Sequence, residues 1–89
     1  MTTLDEEFKK ALEDVKKINN ILDTEDLLRL YGLYKQANLG ENTTLRPSIF
    51  NFRGLKKWQA WDNVSDLTKC EAKTQYIHLV AKLSEKETP

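Results

Sequence analysis

Apolar residues recur every three or four positions through most of this chain, the spacing that places them on one face of an α-helix. The clearest run lies near the N-terminus and contains Leu4, Phe8, Ala11, Leu12, Val15 and Ile18. No segment shows the alternation of apolar and polar residues that is typical of a half-buried strand. With 89 residues, the chain has room for one small core and no second one. We therefore predict an all-α fold and a single domain over residues 1–89.

Start and stop signals divide the chain into four helices. Thr3 with Glu6 and Thr68 with Glu71 have the spacing of capping boxes, and Gly40 is placed to end a helix in the left-handed conformation. The predicted helices run from Leu4 to about Ile18, from just after Asp23 or Thr24 to Asn38 or Leu39, from Asn51 or Phe52 to Val64, and from Thr68 to about Leu83.

A long connection, residues 41–50, separates the second and third helices. Pro47 cannot continue a helix, and it drives Arg46 towards an extended conformation. A link of this length is either functional or disordered. Because Ile49, Phe50 and Phe52 give the segment apolar groups to bury, we predict that it is ordered and functional.

The charge balance excludes some classes of partner. Fourteen basic and fourteen acidic side chains give a net charge of zero, which argues against a general nucleic-acid binder. Basic residues could still cluster in space, among them Lys16, Lys17, Lys35, Arg53, Lys56 and Lys57. No apolar run approaches the ~20 residues of a membrane span. The acidic N-terminus lacks the features of a signal or transit sequence, so we expect a cytoplasmic protein.

The sequence gives little support for catalysis. His78 lies between two aliphatic residues, and a lone histidine in such a position is usually structural or exposed. Cys70 has no recognisable base partner, and one cysteine with one histidine makes no metal-ligand pattern. The carboxylates of Asp5, Glu6 and Glu7 fall in the first turn of a helix, where electrostatic capping explains them. We predict a binding protein with no catalytic residue, no metal and no cofactor.

Tyr31, Tyr34 and Lys35 are the candidate binding residues. On a helix they lie within a sector of roughly 100°, so ring faces and an ammonium group share one side. Such a side could stack a purine while the cation holds a phosphate. The alternative is that both tyrosines pack in the core and Lys35 only extends along the surface. Trp58 and Trp61 lie three residues apart, and we expect at least one of them to be a core residue.

These elements occur in an order that resembles one known family. Tyr31-x-x-Tyr34-Lys35-Gln-Ala is followed by Gly40, Arg46-Pro47, Lys57-Trp58-x-x-Trp61 and Tyr76-Ile77. The chain is similar in this order and spacing, from about Phe8 to about Leu83, to acyl-CoA-binding proteins. The resemblance implies a four-helix up-down-down-up bundle with an open ligand face. Three departures are the missing Lys-x-Pro segment between helices 1 and 2, Leu45 at a position that is usually acidic, and Ser48 where a glycine is often found.

The resemblance also implies a ligand site. It assigns Lys35 and Lys57 to the nucleotide phosphates, and it places Tyr31, Tyr34 and Tyr76 around the adenosine and its 3′-phosphate. It gives Lys16 and Arg53 ligand-facing positions and Gly32 and Leu33 close contacts. The apolar residues that could line the acyl tail are Phe8, Leu27, Leu28, Ile49 and Phe50.

The implied function is that of an intracellular carrier. It would bind medium- to long-chain fatty acyl-CoA esters, form a pool of them and deliver them to lipid enzymes. We expect a monomer that makes transient contact with acyl-CoA-using enzymes or membrane surfaces and binds no nucleic acid. The residues leave two alternatives open: an interaction module that receives an amphipathic partner helix, and a small RNA-binding helical domain.

Overall fold

The computed structural model describes residues 2–85 and contains four α-helices and one short 3₁₀ turn. These elements are α1 (Leu4–Ile18), the 3₁₀ turn (Asn19–Ile21), α2 (Thr24–Leu39), α3 (Phe52–Asp62) and α4 (Lys69–Ser84). Within residues 2–85 there is no strand, and no helix is long and apolar enough to span a membrane. The prediction of four helices is confirmed. The predicted domain bounds, 1–89, include Met1 and residues 86–89, which lie outside the described residues.

Side-chain caps fix the start of three helices where the sequence predicts them. Thr3, Asp23 and Thr68 each accept a hydrogen bond from the backbone N–H three residues later. At α4 the capping box is complete, because the Glu71 carboxylate also accepts from the Thr68 backbone N–H at 2.9 Å. Each cap satisfies an N–H that has no partner inside the helix.

Two helix ends differ from the prediction. Gly40 has a positive φ of 79°, but its ψ of −152° lies outside the left-handed helical region, in a conformation almost reserved for glycine. The third helix ends at Asp62 instead of Val64. The chain tightens there, since the N–H groups of Val64 and Ser65 bond to carbonyls three residues earlier instead of four.

The helix directions follow from which parts of two helices contact each other. Asp5 pairs with Lys73 at 2.7 Å, and Phe8 packs edge-on against Tyr76, so α1 and α4 run parallel. Gln36 near the end of α2 donates to a carbonyl just before α4, so α2 and α4 are antiparallel.

The pair α2 and α3 is parallel. The start of α2 shares a groove with the start of α3, and Gly32 farther along α2 faces Ala60 farther along α3. The four directions together give the up-down-down-up bundle. Contacts concentrate between α1 and α4, α2 and α4, and α2 and α3, so one face of α3 stays uncovered.

The core lies where α4 packs on both α1 and α2. Its buried members include Phe8, Ala11, Ile18, Leu22, Leu30, Leu33, Ala37, Ala72, Tyr76, Val80 and Leu83. Helices α1, α2 and α4 contribute to this cluster, and α3 does not. Helix α3 instead packs on α2 beside the core and forms one wall of a surface groove. Buried Trp61 holds it there by donating a hydrogen bond to Gln36 on α2.

The connection between α2 and α3 does not bury its apolar groups. Phe50 is 92 % exposed and Ile49 is 67 % exposed, and Phe52 is also exposed, so the prediction that they order the segment by burial is wrong. Polar contacts hold the segment instead. The Trp58 indole N–H donates to the Thr44 carbonyl at 3.1 Å, and the Asn42 amide donates to the Trp58 carbonyl.

Candidate functional site

A groove of about 490 Å³ runs between α2 and α3. It is lined by Thr24, Glu25, Leu27, Leu28 and Tyr31 from α2 and by Phe52, Arg53, Lys56 and Lys57 from α3. Leucine side chains and aromatic rings make its surface mostly apolar, while three basic side chains come from the α3 wall. Such a groove suits a ligand with an apolar part and an anionic part.

Two lysine ammonium groups lie over the ring of Tyr31, which lines this groove. The Lys57 Nζ lies 5.4 Å from the centre of its ring, and the Lys35 Nζ lies 5.8 Å from it. Lys35 is also 5.7 Å from the Trp61 ring, so its chain is held between two aromatic faces. Cation–π attraction explains why both ammonium groups approach one ring. An anionic ligand group would be attracted to this pair of charges.

Tyr34 and Tyr76, the other two candidate tyrosines, differ in burial. Tyr34 is exposed on α2, whereas Tyr76 on α4 is only 4 % exposed and packs against Phe8 with ring centres 5.2 Å apart. Burial raises the pKa of Tyr76 to about 12, and the neighbouring Tyr34 adds to the rise. The Tyr76 hydroxyl is a hydrogen-bond donor at neutral pH, as it would be without this shift.

Gly32 acts by letting two helices approach. A Cβ on Gly32 would collide with the Ala60 carbonyl and come within 3.2 Å of the Trp61 backbone nitrogen. These obstacles are backbone atoms, which cannot swing aside as a flexible side chain could. The glycine thus sets the short distance between α2 and α3, and so the approach of Lys57 to Tyr31. The sequence resemblance gave Gly32 a ligand contact, whereas the structure gives it this packing role.

The remaining predicted headgroup residues lie in different surroundings. Leu33 is buried in the core. Arg53 lies on the groove wall. Lys16 extends into solvent from α1 and pairs with Glu13 at 3.4 Å, the ordinary contact of an exposed helix pair. Of these three, only Arg53 lines the groove.

The predicted tail-lining residues divide in the same way. Leu27 and Leu28 line the groove. Phe8 belongs to the core between α1 and α4, while Ile49 and Phe50 are exposed on the connection, and none of these three lines the groove. The structure adds Phe52 to the lining, a residue that the sequence analysis assigned to ordering the connection.

Gln36 is a structural centre that sequence reasoning missed. It is 1 % exposed, and its amide donates to the Leu67 carbonyl at 2.7 Å and to the Ser65 carbonyl at 3.3 Å. Its carbonyl accepts from the Trp61 indole N–H at 3.1 Å. One side chain therefore ties α2 to α3 and to the turn before α4. Its only signal in the sequence is a polar residue on an otherwise apolar helix face.

Both tryptophans hold the end of α2 and the connection in place. The Trp61 indole N–H donates to the Gly40 carbonyl at 2.9 Å as well as to Gln36, and Trp58 donates to Thr44. Trp61 is buried, as expected for at least one of the two, and Trp58 is half-buried. Among the residues described by the structure, no group of three or more His, Cys, Asp or Glu side chains could hold a metal ion.

Comparisons with known proteins agree on one family. The family model described as "Acyl CoA binding protein" matches residues 5–80. Acyl-CoA-binding domain-containing protein 2 of Oryza sativa subsp. japonica is 46 % identical over 82 residues, which cover 92 % of this chain and 90 % of the relative. Acyl-CoA-binding protein of Brassica napus is 45 % identical over 84 residues, covering 94 % and 91 %. The crystal structure of Oryza sativa Acyl-CoA-Binding Protein 2 superposes with a TM-score of 0.93 at 44 % identity, covering 97 % of this chain and 94 % of that one.

Proposed function

The chain belongs to the acyl-CoA-binding protein family, and we propose that it binds medium- to long-chain fatty acyl-CoA esters at the groove between α2 and α3. One observation carries the proposal. The ammonium groups of Lys35 and Lys57 both lie within 6 Å of the Tyr31 ring, and Tyr31 also lines the mostly apolar groove. Positive charge and apolar surface thus meet at one residue, as an anionic nucleotide joined to a hydrocarbon tail requires.

The headgroup is held by charge and by hydroxyl groups. Lys35 and Lys57 take the nucleotide phosphates, and Tyr31 offers its ring to the adenine. Tyr34 and Tyr76 supply hydroxyl donors near the 3′-phosphate. Each hydrogen bond to a charged group contributes about 1.5–3 kcal/mol. Lys16 and Arg53 add favourable charge at longer range.

The acyl tail follows the apolar lining. Leu27, Leu28 and Phe52 cover one side of it, and the groove stays open to solvent on the other. Burial of a methylene contributes about 0.8 kcal/mol, so ten of them would supply about 8 kcal/mol before ordering costs. Tail and headgroup therefore contribute comparable free energies.

A reversible carrier is the role that this arrangement supports. The family is one of binding proteins and not of enzymes. We propose that the protein is a cytoplasmic monomer that forms an acyl-CoA pool and hands its ligand to acyl-CoA-using enzymes. The exposed, free thiol of Cys70 suits a reducing compartment. Gel filtration with and without palmitoyl-CoA tests whether the protein is a monomer.

Calorimetric titration with palmitoyl-CoA, octanoyl-CoA, CoA and palmitate tests the binding proposal. We expect affinity to fall in that order from palmitoyl-CoA to CoA, because each step removes buried methylenes, and we expect palmitate to bind weakly because it lacks the phosphates. Equal affinity for palmitoyl-CoA and palmitate would show that the CoA headgroup has no binding site. Equal affinity for palmitoyl-CoA and CoA would show that the acyl tail does not bind in the groove.

A further inference from the structure

The turn formed by Ser48, Ile49, Phe50 and Asn51 presents two large apolar side chains to solvent. Ile49 and Phe50 occupy its central positions, where Gly, Pro, Asn, Asp and Ser dominate in ordinary turns. Phe50 is 92 % exposed, and neither residue lines the groove between α2 and α3. Leu45, a few residues earlier, is 94 % exposed. Three large, exposed apolar side chains within six residues of sequence are typical of a contact surface.

Hydrogen bonds give this turn a defined shape. The Asn51 N–H donates to the Ser48 carbonyl at 2.9 Å, and the Phe50 N–H donates to the Ser48 hydroxyl at 3.1 Å. Asn51 then caps α3 by accepting from the Gly54 N–H. The apolar side chains are therefore displayed by a structured turn joined to a helix.

The charge distribution around this turn favours an anionic partner. Residues 42–61 contain four basic side chains, Arg46, Arg53, Lys56 and Lys57, and no acidic one. The rest of the chain holds ten basic and fourteen acidic residues, so the zero net charge hides a separation of charge. Apolar side chains flanked by bases are suited to the interface of an anionic lipid bilayer, where the bases contact headgroups and the apolar groups enter the acyl boundary.

We propose that this surface, defined by Leu45, Arg46, Ile49, Phe50 and Arg53, docks on anionic membranes. The surface is continuous with the groove, because Phe52 and Arg53 line the groove and follow the turn directly. A docked protein would then open its groove beside the lipid. That last consequence rests on the proposed function, whereas the docking itself does not.

Vesicle flotation tests the docking in the absence of any acyl-CoA. The protein is mixed with phosphatidylcholine vesicles that contain none or about 30 mol % of phosphatidylserine, the anionic lipid of cytoplasmic leaflets. We expect it to float with the anionic vesicles only, and less at high salt, because added salt screens the headgroup attraction. Failure to float with anionic vesicles at low salt would overturn the proposal and leave a protein partner as the occupant of the surface.

Variants locate the contact. We expect Phe50→Ser to weaken partitioning about tenfold, from the lost burial of one aromatic ring, and Arg46→Gln to weaken it about fivefold. The controls are Leu39→Ser, an exposed apolar residue at the far end of α2, and Lys9→Gln, an exposed base on α1. Both should float like the unaltered protein. Equal losses in the controls, or full binding by Phe50→Ser, would contradict docking through this turn.

A positive signal comes from a tryptophan placed at the tip. In Phe50→Trp, we expect fluorescence emission to shift to the blue when anionic vesicles are added, because the indole enters a less polar environment. Leu39→Trp carries the same native tryptophans and should show no such shift. Identical responses from the two variants would count against insertion of the turn. Circular dichroism and palmitoyl-CoA titration of each variant establish that its fold and groove are intact.

Discussion

Replacing Lys57 or Lys35 with alanine separates ligand binding from packing. The two ammonium groups lie 5.4 Å (Lys57) and 5.8 Å (Lys35) from the Tyr31 ring centre, and Lys57 is exposed whereas Lys35 is half-buried. A cation–π contact at such a site contributes about 0.5–1 kcal/mol to stability. If the same group holds a phosphate, its loss costs about 1.5–3 kcal/mol of binding free energy, which is roughly a 10- to 150-fold rise in Kd.

Two measurements are needed for each variant. Calorimetric titration with palmitoyl-CoA gives the change in Kd, and urea unfolding gives the change in free energy of unfolding. Lys56→Ala is the matched comparison, because its ammonium group lies over Phe52, 5.6 Å from the ring centre, on the same helix. We expect it to lower affinity less than Lys57→Ala does. Lower stability with unchanged affinity in both Lys35→Ala and Lys57→Ala would show that these lysines serve packing alone.

Three further results are expected. Gly32→Ala should lower the free energy of unfolding by about 1–3 kcal/mol in urea, since α2 and α3 must separate; unchanged stability would contradict their close approach. In a spectroscopic titration of the phenols, one of the three tyrosines should ionise near pH 12, and Tyr76→Phe should remove that step. Because the folded pKa is raised above the ordinary value of 10.0, the stability that Tyr76 contributes is present below pH 10 and is lost as the pH rises towards 12. Phe52→Ser should weaken palmitoyl-CoA binding about tenfold by removing one lining ring, while Phe50→Ser should leave it unchanged; the reverse order would move the tail to the connection.

Helix starts could be predicted because their causes are local. Thr3, Asp23 and Thr68 each need only a backbone N–H three residues later, so the sequence contains the whole interaction. The end of α3 could not be predicted from apolar spacing, since Val64 keeps the helical period while the backbone has already tightened into turns. Apolar periodicity reports which face is buried and not where the backbone hydrogen bonds change.

The candidate site was predictable in part for a similar reason. Tyr31, Tyr34 and Lys35 share a helix, so their common side follows from helix geometry. The approach of Lys57 to Tyr31 depends on how α2 meets α3 and has no local signal. Burial of Gln36 and exposure of Phe50 likewise depend on neighbours distant in sequence.

The parallel direction of α2 and α3 fixes how much chain must join them. Gly40 lies beside Trp61, so the chain has to return to Phe52, about nine helical residues or roughly 14 Å along the axis. The chain from Gly40 to Asn51 could extend to about 40 Å. About half of that chain is long enough to link the end of α2 to the start of α3. The stretch that includes Ile49 and Phe50 is therefore not needed to join the two helices. A shortened connection could therefore preserve the bundle while removing the apolar turn.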